Sequence, residues 1–290
     1  MSSSQTVRIG LAQETRTADS KANLRQSIAA IRALAGKGAQ IISLQELFVS
    51  LYFCQSQSLE PFALSESVPG PLTEAMTKLA RELSVVLIVP LFEKRLVGVY
   101  HNAAVVIDAD GTLLGSYRKM HIPDDPLFYE KYYFTPGDLG FKAFKTRYAD
   151  IGVLICWDQW FPESARLAAL AGAQIVFFPT AIGFQAADQS HYETQRDAWV
   201  IVQRSHAITN GVFVAATNRV GREGALQFWG SSFVSDPSGR ILVQATDSGP
   251  ENLVVDCDLK QIESVRQNWP YLRDRRVDAY QGLLKRAETA

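Results

Sequence analysis

Three ionisable residues each stand at the end of a run that reads as a strand. Glu46 follows Ile41-Ile42-Ser43-Leu44-Gln45, Lys119 follows residues 112–118, and Cys156 follows Ile151-Gly152-Val153-Leu154-Ile155. A thiol, a carboxylate and an ammonium are the nucleophile, base and electrophile that acyl transfer at a carbonyl or carbamoyl carbon requires. The carboxyl end of a strand is also where α/β sheets present groups to a ligand. Cys156 precedes a helical pattern, so the helix dipole is expected to favour a thiolate there over a thiol of pKa about 8.5. A poorly solvated carboxylate has a raised pKa, which suits Glu46 to general-base work near neutral pH. Lys119 supplies a fixed ammonium for a developing oxyanion. Taken singly, each has a plainer reading: a small buried hydrophobe, an exposed loop acid and a solvated surface cation. Read together they make a chemical set, because folding alone demands no such combination.

The elements that must position these groups alternate along the chain. Val7, Ile9 and Leu11 keep a period of two, and Leu24, Ile28, Ile31 and Ala35 mark one face of a helix closed by Gly36 and Gly38. A strand over 41–46 follows. Pro71 opens a helix with Leu72, Ala75, Leu79 and Leu83 facing inward, ahead of a buried strand over 85–91. Residues 102–108 and 112–118 flank Ala109-Asp110-Gly111 as a hairpin. The second half predicts strands over 151–156, 174–179, 212–217 and 253–257 and helices over 162–173 and 192–208. A second hairpin joins 228–235 to 241–244 around Asp236-Pro237-Ser238-Gly239. This rhythm predicts a layered α/β architecture with mixed sheets. The strand–helix–strand order shared by the two halves points to two similar sheets packed together. No linker or charge block divides the chain, so residues 1–290 read as one domain.

The composition bounds the partners. With 290 residues, 47% of them hydrophobic, the chain can bury a large core. Twenty-nine Lys and Arg balance thirty Asp and Glu, which gives no electrostatic reason to expect nucleic acid or an anionic membrane as partner. The first eight residues carry no apolar signal core, and no apolar run is long enough to span a bilayer. Cys54, Cys156 and Cys257 are odd in number and lack metal-ligand or Cys-x-x-Cys spacing. A soluble, reduced, cytoplasmic enzyme without metal or organic cofactor is expected.

Four motifs, in order, resemble the nitrilase superfamily. They are Leu44-Gln45-Glu46, Tyr117-Arg118-Lys119-Met120-His121, Phe128-Tyr129-Glu130-Lys131-Tyr132-Tyr133-Phe134 and Leu154-Ile155-Cys156-Trp157-Asp158. Gly230-Ser231-Ser232-Phe233, running on to Gly239, resembles the family's late hairpin, so the likeness extends from about residue 6 to beyond residue 260. The resemblance implies a four-layer αββα sandwich, dimers packed through helical faces and often larger homo-oligomers, with the stretch from about residue 260 used in oligomer contacts. It also implies that Glu46 takes the Cys156 proton, that Lys119 and the Trp157 N–H meet the oxyanion, and that Glu130 orients Lys119 or the substrate. One departure concerns Gln45, where relatives often carry Pro.

The residues after Cys156 bear on the substrate. Relatives that hydrolyse carbamoyl amino acids place Arg there to grip a carboxylate. Here Trp157, Asp158, Gln159 and Trp160 follow, with no cation before Arg166. Trp157, Trp160 and Tyr52, with Asp158, Asp124 and Asp125, would suit a cationic tail through ion pairing and cation–π contact. Pro123-Asp124-Asp125-Pro126 is also ordinary turn chemistry. A carbamoylated amine is therefore the expected small-molecule substrate. The alternatives are a nitrile, an ω-amide or a β-ureido acid on the same scaffold, a non-catalytic interaction domain, or a redox thiol protein.

Overall fold

Residues 86–89 and 103–107 are apolar at every position and 41–44 at all but Ser43, the signature of strands covered on both faces. The computed structural model, which describes residues 6–187 and 190–287, shows what covers them. The first half runs β1 (Thr6–Gln13), α1 (Ser20–Gly36), β2 (Ile41–Leu44), α2 (Pro71–Leu83), β3 (Val86–Leu96), β4 (Val99–Ile107) and β5 (Leu113–Arg118). The second runs β6 (Ala143–Lys145), β7 (Asp150–Val153), α3 (Pro162–Leu170), β8 (Ile175–Pro179), β9 (Gly183–Gln185), α4 (Tyr192–Asn210) and β10 (Phe213–Thr217). It closes with β11 (Val220–Glu223), β12 (Leu226–Trp229), β13 (Phe233–Ser235), β14 (Ile241–Gln244), β15 (Glu251–Asp258) and α5 (Lys260–Asn268).

Two six-stranded sheets result, in the orders β15-β1-β2-β3-β4-β5 and β14-β13-β10-β8-β7-β6. Each has three parallel strands at its centre, β1-β2-β3 in one and β7-β8-β10 in the other, with antiparallel strands outside. Side-chain parity sorts the first sheet's residues. Ile41, Val86, Ile88, Ala104 and Val106 share a core with Val153, Phe177 and Val214 of the second sheet. Their neighbours Ile42, Leu87, Val89, Val105 and Ile107 meet Ile31 and Leu34 of α1 and Met76 and Leu79 of α2. Each of these larger side chains contributes about 1.5–3 kcal/mol on burial. On the far side α3 and α4 pack against β7, β8 and β10, and Gly152 lets the Ala168 methyl approach closely. The layers are therefore helix, sheet, sheet, helix.

The structure departs from the sequence reading where polar turns interrupt apolar runs. The strand expected over 41–46 stops at Leu44 and the one over 151–156 stops at Val153, so Glu46 and Cys156 stand on turns just beyond strand ends. The strand expected over 228–235 breaks at Gly230 and Ser231, both at positive φ. Its two parts, β12 and β13, enter different sheets. β12 joins β9 and β11 in a three-stranded sheet that short, glycine-interrupted segments concealed. Among the described residues no helix is long and apolar enough to cross a membrane.

Candidate active site

The turn after β2 carries Glu46 inward, completely buried, and Leu47 behind it adopts φ 49°. Gln45, at the position where relatives often have Pro, accepts the Glu14 N–H at 2.9 Å and ties the turn to the end of β1. One Glu46 oxygen, Oε1, accepts from Asn102 Nδ2 at 2.7 Å and from Lys119 Nζ at 2.9 Å. Its other oxygen, Oε2, has no protein partner. Lys119 leaves the end of β5 with its N–H on the Asn102 carbonyl, and its ammonium also donates to Glu130 Oε2 at 2.6 Å. Glu130 Oε1 accepts the Tyr52 hydroxyl at 2.7 Å. Glu46, Lys119 and Glu130 thus form a fully buried carboxylate–ammonium–carboxylate chain.

Burial governs the protonation of this chain. Desolvation alone would lower Lys119, but the two carboxylates outweigh it and hold the amine well above its ordinary value. Burial pushes Glu130 up to about 7 against the pull of Lys119, with the Glu46 charge adding to the rise. Between the ordinary 4.5 and about 7, folded protein holds a Glu130 proton that the unfolded chain has lost. The contribution of this group to stability therefore falls as pH rises through that window. Removing the group in Glu130→Gln should remove that slope. The melting temperature of wild type minus that of the variant is expected to be smaller at pH 8 than at pH 5. A flat or rising difference would place Glu130 in the ordinary carboxyl range.

Cys156 opens a short 3-10 turn, Cys156–Trp160, and has φ 43°. A side chain in this left-handed region costs about 1–2 kcal/mol, and the neighbouring contacts hold it there. Asp158 accepts the Ile155 N–H at 2.9 Å and the Tyr117 hydroxyl at 2.7 Å on one oxygen. On the other it accepts the His121 N–H and ring Nδ1. Gln159 accepts Trp199 Nε1 at 2.7 Å, and its carbonyl lies 2.7 Å from His206 Nε2, fixing the turn to α4. The Cys156 Sγ is 3.9 Å from the Ala181 carbonyl. Burial pushes this thiol well up, Glu46 adds to the rise, and Lys119 opposes it. The thiolate expected from the helix dipole is therefore not the resting form.

A cavity of about 520 Å³ opens over Cys156 and Glu130, within the usual size of small-molecule sites. Trp157, Trp160, Phe184, Tyr192 and Trp229 give it aromatic walls, and Pro123, Asp125 and Pro126 form part of its rim. Its described lining includes Asp125, Glu130 and His191, and no Lys or Arg. Three residues expected at the substrate stand elsewhere. Asp158 is buried beneath the Cys156 turn with both oxygens engaged, because backbone N–H groups at the turn need an acceptor. Tyr52 is buried behind Glu130 as its hydrogen-bond donor. Asp124 is exposed and off the lining, its neighbour Asp125 facing the cavity instead.

Sequence reasoning passed over Asn102, Arg219 and Glu223. Asn102 follows His101 in β4, just before the apolar run Ala103–Ile107, and that buried polar pair was its signal. Arg219 follows β10 in Thr217-Asn218-Arg219, a polar cluster at a strand's carboxyl end, the same rule that singled out Glu46. Among the described residues no group of three or more His, Cys, Asp or Glu could hold a metal ion.

Two mixed sheets between helical layers, with a buried thiol beside a carboxylate–ammonium–carboxylate chain, define an amide-hydrolysing class. The chain belongs to the carbon–nitrogen hydrolase family, whose model matches residues 8–267. It is 46% identical over 277 residues to the N-carbamoylputrescine amidase of Solanum lycopersicum, covering 92% of this chain and 91% of that one. A carbon–nitrogen hydrolase from Helicobacter pylori superposes with a TM-score of 0.94 at 44% identity, covering 98% of this chain and 100% of that chain. A mutant amidase from Nesterenkonia superposes at 0.75 with 28% identity, covering 94% of each chain. That structure shows covalent addition of an acetamide moiety at its active site cysteine.

Proposed function

We propose that the protein hydrolyses N-carbamoylputrescine to putrescine, carbon dioxide and ammonia, with Cys156 as nucleophile. The observation that carries the substrate is the cavity over Cys156: aromatic walls, carboxylates at Asp125 and Glu130, and no Lys or Arg on the described lining. A protonated amine gains from acidic partners and aromatic faces there, whereas a carboxylate tail would meet like charge. The similarity to the Solanum enzyme supports the same substrate. In this reading Glu46 Oε2, the carboxylate oxygen without a partner, accepts the Cys156 proton as sulfur attacks the carbamoyl carbon. Lys119, with two N–H groups on carboxylates, turns its third to the oxyanion together with the Trp157 N–H. Glu46 then protonates the departing nitrogen and later deprotonates the water that releases the acyl group.

The same reading includes self-association and a reducing, cytoplasmic setting. Leu167 and Leu170 on α3, Ile201 and Ile208 on α4, and Trp269 and Leu284 in the C-terminal stretch are exposed, which supports dimers built on the outer helical face. All three cysteines are free thiols, which suits a reducing compartment.

The test compares N-carbamoylputrescine with the neutral alkyl urea of matched length and with a carboxylate-ended analogue. Losing a charge-assisted contact costs about 1.5–3 kcal/mol, so kcat/KM should fall roughly ten- to a hundredfold for the alkyl urea and further for the acid. Asp125→Asn, at the exposed rim, should raise KM for the amine by about threefold and leave the alkyl urea unchanged. Equal hydrolysis of the three substrates would remove the amine reading.

A further inference from the structure

Outside the reacting groups, a buried polar cluster is built on Arg219, between β10 and β11, and Glu223 at the end of β11. Both are buried, Arg219 completely. The Arg219 guanidinium donates from Nη2 to the carbonyls of Glu46 at 2.9 Å and Leu47 at 3.0 Å. From Nη1 it donates to the Ser50 carbonyl at 3.0 Å and to both Glu223 oxygens at 2.8 and 2.9 Å. Glu223 Oε2 in turn accepts the Tyr52 N–H at 2.7 Å. The guanidinium carbon lies 5.5 Å from the centre of the Phe228 ring.

Replacing a buried ion pair by apolar residues of equal volume is often neutral or stabilising, so stability alone does not account for this pair. What it touches does. Its contacts converge on a single segment, residues 46–52, which holds Leu47 in the left-handed region. That segment carries Glu46 at one end. At the other it carries Tyr52, whose hydroxyl holds Glu130. A lysine could not reproduce the contacts, because they use the rigid fork of a guanidinium.

We propose that Arg219 and Glu223 are positioning residues that set, through one turn, both carboxylates gripping Lys119. Glu46 is set through its own carbonyl and Glu130 through Tyr52. The proposal rests on the reading of Glu46 and Glu130 as reacting or substrate-facing groups. A displacement of about 1 Å at such groups costs on the order of a hundredfold in rate.

The variants to measure are Glu223→Gln, Tyr52→Phe and their combination, with Arg219→Lys as a second perturbation that keeps the charge balance. Glu223→Gln and Arg219→Lys should each lower kcat roughly ten- to a hundredfold with KM within about threefold. Ile262→Ala, on the buried face of α5 and away from the turn, should lower the melting temperature without changing kcat of the folded protein. Because Glu223 acts partly through Tyr52, the double variant should lose less than the product of the single losses. Multiplicative losses, or a wild-type kcat in folded Glu223→Gln or Arg219→Lys, would overturn the proposal. If Glu223→Gln does not fold, Arg219→Lys decides the question. Glu46→Gln separates the underlying reading: full activity there defeats the role of Glu46, whereas an inactive Glu46→Gln beside a fully active Glu223→Gln defeats the positioning role alone.

Discussion

Cys156→Ser is expected to melt at the wild-type temperature and to lose turnover by roughly 10⁴-fold or more. The exchange changes one buried atom whose polar neighbour is the Ala181 carbonyl at 3.9 Å, so the turn and its Asp158 anchor are untouched. The chemical loss follows from burial. The thiol is already pushed well above its ordinary pKa, and a hydroxyl, intrinsically harder to deprotonate, would ask far more of the same carboxylate base. Iodoacetamide should label Cys156 in parallel with inactivation, as mass spectrometry can follow. Substantial turnover by the serine variant would show that another group makes the bond to carbon.

The second large effect separates two residues that look alike in the sequence. Glu46→Gln should lower kcat by about a hundredfold or more. It should keep most of the stability, because the amide oxygen can replace Oε1 toward Asn102 and Lys119. Lys119→Ala should also remove activity on the scale of an oxyanion group, but for a compound reason. It strips the shared cation from two fully buried carboxylates. Breaking such a buried cluster costs about 3–5 kcal/mol. The strand-end position of Lys119 alone would predict a near-normal melting temperature; its burial between Glu46 and Glu130 predicts a large drop at neutral pH. Lowering the pH, which protonates Glu130, should recover part of that drop. A Lys119→Ala protein as stable as wild type would mean that the two carboxylates are not charged together.

The parts of this site visible in the sequence were those written locally. Glu46, Lys119 and Cys156 each follow a strand pattern, and Glu130 lies in an aromatic motif of its own; the structure brings all four together. The layered α/β class was legible in the alternation of strand and helix patterns, whereas the four-layer sandwich was implied by the family resemblance. What stayed hidden depends on partners far apart in the chain. Arg219 grips the Glu46 carbonyl across 173 positions, and no local pattern encodes that pairing. Asp158 misled because an acid beside a nucleophile looks the same whether it faces a ligand or a backbone N–H. The third sheet was missed because its strands are three or four residues long, too short for a period of two to register.

The cavity is assembled unevenly along the chain, and that has an evolutionary side. Pro123, Asp125, Pro126, Phe128 and Glu130 come from one stretch before Cys156, whereas Ala181, Ile182, Gly183, Phe184, Gln185, His191, Tyr192, Gln195 and Ala198 supply much of the wall from one later stretch. Much of the wall is therefore written in a passage of the gene apart from Glu46, Lys119, Glu130 and Cys156. A short insertion or exchange between β8 and the first turns of α4 can retune what enters the cavity while the proton-transfer chain stays as it is. A lineage can explore new carbamoyl and amide substrates one segment at a time, and a laboratory library confined to that segment follows the same route.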